Sequence, residues 1–182
     1  MAKLPVPFRD LTAGDGDEAA GYLRFIDEPD GKGIRGALFI VSSRGQPVDF
    51  SFTRIDVHSG FLWRAGEARR QAVTSLTKAL FQAATRVPDV ILALANEVPP
   101  RVFTEDLEVG VPLCRVTMAE MTVQAGSEEE ERLSDSVNLF WVNGRPPPES
   151  PSRSLIEALN GRQLLTEPFD RASIGMQEAF DS

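Results

Sequence analysis

Four carboxylates fall at or near the ends of candidate strands and at the start of the strongest helical pattern: Asp27, Asp49, Glu67 and Glu97. Oxygen donors of this type suit Mg²⁺ or Mn²⁺, and converging carboxylates can hold such ions against a phosphodiester. Zinc chemistry has much less to work with. A structural zinc site takes about four Cys or His ligands, and a catalytic one about three plus water. The chain holds one cysteine, Cys114, and one histidine, His58. No complete metal set and no cofactor motif is expected.

Other chemical motifs have a simpler reading. Gly31-Lys32-Gly33-Ile34-Arg35-Gly36 has the G-x-G-x-x-G spacing. A dinucleotide loop of this type must follow a strand and open a helix, so that the helix N-terminus meets the pyrophosphate. Here it precedes an apolar run with strand character, so a hairpin turn is expected. Ser75-Leu76-Thr77-Lys78 matches S-x-x-K, but Lys78 falls on the polar face of a helix, where its amine stays protonated. His58 lies near Asp56 and Ser59. Without a nucleophile elbow it reads as a satisfied loop histidine. Cys114 falls on the apolar face of a strand pattern and reads as a small core residue.

Two groups could bind rather than react. Trp63 and Arg64 stand just before the helix, with Arg69 and Arg70 in its first turns. Exposed, they would form a protein-binding hot spot or a surface for stacking bases. Buried, Phe61 and Trp63 would staple the start of the helix. Glu128, Glu129, Glu130 and Glu131 form an acidic run. It is expected at a solvated hairpin tip, where it could dock on a basic partner.

The positioning elements follow from periodicity. Tyr22 to Asp27 predicts a short strand, and Glu28 to Gly33 a turn. Ala37 to Val41 is an unbroken apolar run, as for a strand covered on both faces. Val48 to Asp56 alternates, placing Val48, Phe50 and Phe52 toward a core. These three make an antiparallel meander. From about Ala65 to Arg86, Ala72, Val73, Leu76, Leu80 and Ala83 recur at helical spacing, with Pro88 beyond. Val90 to Ala95 is a second buried strand, reached by a right-handed crossover and so parallel to a meander strand. Leu113 to Val123 predicts a strand with a bulge, and Val137 to Val142 another. Ser127 and Glu130 have capping-box spacing, for a one-turn helix between them. A proline-rich linker then leads to a short helix capped by Ser154 and a terminal helix containing Ile174, Met176 and Phe180.

The fold class is therefore α/β or α+β. It is a single domain with a mixed β-sheet, over 1–145, followed by a linker and C-terminal helical tail over 146–182. A meander, a helix and a parallel strand is also how ribonuclease-H-like domains begin, and this topology resembles theirs. That resemblance implies two Mg²⁺ ions held by carboxylates from strand centres and ends. It calls for an acid near the middle of the first strand, whereas Asp27 lies at its end. Glu97 sits suitably after the parallel strand. The D/E-x-K pattern of restriction-like nucleases is absent from Glu97-Val98-Pro99.

The formal net charge is −8, which disfavours a broad phosphate-binding surface. Charge is uneven: 51–100 carries 6 basic and 4 acidic groups, 101–150 carries 4 and 10. Nucleic acid thus stays open as a partner through the middle segment. No apolar leader or run of membrane-spanning length occurs, so a cytoplasmic protein is expected. Three functions are compatible with these features. The leading expectation is a non-enzymatic protein-interaction module, a small subunit binding another protein subunit. The alternatives are a Mg/Mn-dependent phosphodiester hydrolase acting through Asp27, Asp49 and Glu97, and a nucleic-acid or small-ligand sensor.

Overall fold

The computed structural model describes residues 3–5, 8, 17–57, 64–121, 123 and 126–182. Strands β2 (Ala19–Asp27), β3 (Gly33–Ser42) and β4 (Pro47–Asp56) form the expected meander, after a two-residue β1 (Leu4–Pro5). Helix α1 (Ala65–Ala83) crosses to β5 (Val90–Leu94), which lies parallel to β2. A π-helical turn (Val102–Asp106) and a short β6 (Leu107–Glu108), paired with β1, lead into β7 (Leu113–Met118). Then come β8 (Glu129–Arg132), β9 (Val137–Trp141), α2 (Pro151–Gly161) and α3 (Glu167–Asp181). The main sheet has seven strands in the order β4-β3-β2-β5-β7-β9-β8, so the single mixed-sheet fold class holds.

The sheet separates two cores because side chains alternate along each strand. Leu23, Leu38, Ile40, Ile91 and Ala93 face α1, packing with Val73, Leu76 and Leu80. Tyr22, Phe39, Val41, Leu92 and Val116 face the other way, packing with Leu155, Ile156 and Leu159 of α2 and Phe169 and Ala172 of α3. The C-terminal helices therefore cover the second face of the sheet. The unbroken apolar runs in β3 and β5 are the central strands that both cores need.

Several local expectations change. β2 begins at Ala19, because Ala19, Ala20 and Gly21 continue the ladder with β3. α1 stops at Ala83, before the Arg86 that periodicity suggested. β7 ends at Met118, so no bulge carries it on to Val123. The acidic run is not a capped helical turn: Glu129–Arg132 is an edge strand paired with β9. α2 begins a turn early, with Ser150 as its cap accepting from Arg153 N and Pro151 following. Phe52 is 46% exposed rather than core. Its strand is an edge of the sheet, and its ring meets Phe180 of α3 edge-on at 5.4 Å. Gly31, at φ +71°, turns the β2–β3 hairpin, so the glycine motif is the expected turn. No described helix is long and apolar enough to cross a membrane.

Candidate functional site

The C-terminal ends of β2 and β5 lie side by side because the two strands are parallel neighbours. Their ladder stops at Leu23 and Ala93. Beyond that point β2 continues to Asp27 while the chain after β5 turns away, Glu97 N and Val98 N both donating to Leu94 O. The gap leaves backbone N–H groups of β2 without a strand partner, and buried N–H groups require one. Glu97 supplies it: its Oε2 accepts from Phe25 N at 3.0 Å.

The same carboxylate meets Arg24. Nε of Arg24 lies 2.9 and 3.2 Å from the two Glu97 oxygens, and Nη2 lies 2.8 Å from Oε1. Arg24 Nη1 donates to Phe169 O of α3 at 2.7 Å. Both side chains are nearly covered, 13% and 11% exposed. Burial pushes the Glu97 carboxyl above its ordinary value, while the Arg24 charge and the Phe25 N–H pull the other way. Arg69, on the first turns of α1, donates one arm to Asp27 and the other to Glu97 O at 3.1 Å. Arg24, Asp27, Arg69 and Glu97 thus form one cluster at one edge of the sheet.

Asp49 is elsewhere. It pairs in register with Ile40, which pairs with Gly21, six residues before Asp27. At roughly 3.3 Å per residue that is about 20 Å along the strand direction. Asp49 instead accepts from Thr85 N, after the far end of α1, at 2.9 Å. Asp27 and Glu97 are brought together, and Asp49 is not. Glu67 is exposed in the first turn of α1.

Among the binding candidates, Trp63 lies outside the described residues, as do His58, Ser59 and Phe61. Arg64 is exposed at the cap of α1 and makes no side-chain cap bond. Arg70 is held by Asp106 and Glu105 on the π-helical turn, and the Asp106 hydrogen bond raises its already high pKa. The acidic run is not a uniformly solvated tip. The Glu128 side chain is fully buried against Arg115 of β7, accepting from Nη2 at 3.0 Å. Glu131 accepts from Trp141 Nε1 at 2.7 Å and pairs with Arg153. Glu129 and Glu130 are exposed, and Glu129 accepts from Arg145 N. Ser75 is exposed and Lys78 half-buried, and Cys114 is buried, its thiol pushed up by burial.

Arg24 and Arg115 were missed as site residues. Each interrupts an apolar strand, in Tyr-Leu-Arg-Phe-Ile and Leu-Cys-Arg-Val. A charge there must find a partner, since an unpaired buried charge is prohibitive. Arg115 Nη1 donates to Ala95 O at 3.2 Å and Val98 O at 3.0 Å. It therefore pins the turn on both sides of Glu97.

No family model and no curated protein matches this chain. Among solved structures, it is similar in fold to endonuclease V of Streptomyces avermitilis, at 12% identity and TM-score 0.51, over 90% of this chain and 83% of that one. Endonuclease V of Bacillus subtilis aligns at TM-score 0.40 and 12% identity, over 82% and 69% of the two chains. An Argonaute of Marinitoga piezophila aligns at 0.35 and 9%, over 82% and 26%. The first establishes a shared fold alone. On this finding the expectation of a non-enzymatic interaction module and complex subunit is corrected: the fold is similar to that of an endonuclease V.

The divalent ions that the ribonuclease-H-like resemblance calls for do not fit the residues present. Among the described residues no three His, Cys, Asp or Glu side chains gather closely enough to hold a metal. Asp27 and Glu97 are both ion-paired to arginine, and Asp49 is remote.

Proposed function

We propose that this protein binds nucleic acid, engaging the phosphodiester backbone at the C-terminal edge of β2 and β5. The observation that carries the proposal is the clustering of Arg24, Asp27, Arg69 and Glu97 at one sheet edge of an endonuclease-like fold. In open sheets the crevice beyond the carboxyl ends of parallel strands is where ligands bind. The two arginines differ in what they offer. The Arg24–Glu97 pair is buried, and breaking such a pair costs about 3–5 kcal/mol. It is the frame of the site. Arg69 pairs with Asp27, whose side chain is 64% exposed. Arg69 is 27% exposed, and a pair with one partner mostly in water lies nearer the surface value of about 0–1 kcal/mol than the buried one. A phosphate can therefore displace Asp27 and take a charge-assisted contact from Arg69 at small cost.

The test is fluorescence anisotropy of labelled single- and double-stranded DNA and RNA oligonucleotides in EDTA at low salt. Binding should fall with added salt, weaken in Arg69→Ala and strengthen in Asp27→Asn, which removes the competing carboxylate. Absence of binding, or equal binding by both variants, refutes the reading. The same oligonucleotides are incubated with Mg²⁺ and Mn²⁺ in parallel. Cleavage lost in Glu97→Gln would replace backbone binding by phosphodiester hydrolysis as the activity of the site.

A further inference from the structure

We propose that the guanidinium of Arg24 occupies the place of a divalent cation, so that the native site excludes Mg²⁺ and Mn²⁺ and loss of this one side chain creates a cation site. A carboxylate has about four lone-pair positions. In Glu97 both oxygens are engaged by three N–H donors: Arg24 Nη2 on Oε1, Phe25 N on Oε2, and the single Arg24 Nε–H shared between them. A metal entering here would find both oxygens of its hard ligand already engaged. The guanidinium cannot swing aside cheaply, because Nη1 is bonded to Phe169 O and the side chain is nearly covered. A doubly charged ion would face Arg24 and Arg69 together, against one carboxylate each from Glu97 and Asp27.

Removing Arg24 frees the Glu97 carboxylate, while Arg69 stays on Asp27 and the Glu97 carbonyl. Glu97 keeps only the Phe25 N–H, and its carboxylate points into the gap between β2 and β5. Asp27 lies one arginine away, since Arg69 bonds both its carboxylate and the Glu97 carbonyl. The freed Glu97 carboxylate is a hard donor suited to Mg²⁺ or Mn²⁺, with water completing the shell, and Asp27 and the Glu97 carbonyl can join it where Arg69 yields.

The experiment is Mn²⁺ titration of the ¹⁵N-labelled full chain, read by paramagnetic broadening of the Phe25 amide. Native protein should show no saturable broadening there, and EDTA should not change its Tm. Arg24→Ala should gain Mn²⁺ affinity by at least about tenfold. Arg24→Lys, which keeps the cation, should not. If Arg24→Ala fails to fold, Arg24→Gln carries the same test, because it removes the charge while keeping an amide donor for Glu97. Saturable broadening at Phe25 in the native chain overturns the proposal, and so does a folded, uncharged variant that gains no Mn²⁺. Neither result depends on whether the protein binds nucleic acid.

Discussion

Replacing Glu128 by alanine tests whether the buried Arg115 charge organises the turn that carries Glu97. Both side chains of this pair are fully buried. The Arg115 guanidinium divides its donors: Nε and Nη2 go to Glu128, while Nη1 goes to Ala95 O and Val98 O. Its carbon lies 5.8 Å from the Phe140 ring centre. Truncating one partner of a buried ion pair costs about 3–5 kcal/mol. Two carbonyls and an aromatic ring still face the guanidinium, which places the expected loss at the low end, about 3 kcal/mol. In a domain of this size that corresponds to roughly 6–12 °C in Tm. Urea unfolding should show a lower midpoint with unchanged slope. Glu128→Gln, which retains an acceptor, should lose less than Glu128→Ala. The double change Arg115→Met with Glu128→Leu should recover part of the loss, since no buried charge remains. A loss for Glu128→Ala below about 1 kcal/mol would refute the reasoning, because it would mean that water reaches the guanidinium and the pair is energetically a surface one.

Three further outcomes follow from the same structure. Burial alone would raise the Glu131 carboxyl, but hydrogen bonds from Arg153 and Trp141 outweigh it and hold the group below the ordinary 4.5. The unfolded chain then binds the proton more readily, so this stabilisation is present above the ordinary value and lost as pH falls through the lowered one. Tm measured against pH should show native protein and Glu131→Gln converging on acidification, and a constant gap would refute this. Gly45 stands at φ +75°, and an added Cβ would come within 2.9 Å of Leu164 Cδ1. Gly45→Ala should cost about 1–2 kcal/mol in chemical denaturation, and a neutral result would mean that the turn relaxes freely. Cys114 is buried and its thiol is raised by burial. A thiol-specific chromogenic reagent should therefore react only after denaturant is added, and rapid labelling of native protein would contradict the burial.

Much of the scaffold was legible because local patterns report burial directly. The runs Ala37–Val41 and Val90–Leu94 announce strands buried on two faces, and the spacing of Val73, Leu76 and Leu80 announces the helix that covers one of them. The glycine motif was legible as a turn from its place before a strand. The acidic run misled for a physical reason. Like charges in a row suggest solvation, yet Glu128 and Glu131 are neutralised by Arg115 and Arg153, which lie on other elements. The exposure of Phe52 was equally hidden, since alternation reports which face a residue occupies but not whether its strand lies at an edge.

The site itself belongs to the tertiary structure. By itself the sequence determined the meander, the crossover and the parallel β5, and so where the carboxyl ends of strands would gather. It also contained an arginine within each of two apolar strands, a local contradiction that only a distant partner can resolve. Which partner that is depends on strand order and register. Arg24 meets Glu97 across 73 positions of chain because β5 lies beside β2 and stops short of it. Asp49 is separated from Asp27 because β4 carries it to the opposite end of the sheet. Periodicity encodes which side of an element is buried. It carries no signal for which charges meet, because that pairing is set by contacts between segments whose relative placement exists only in the folded chain.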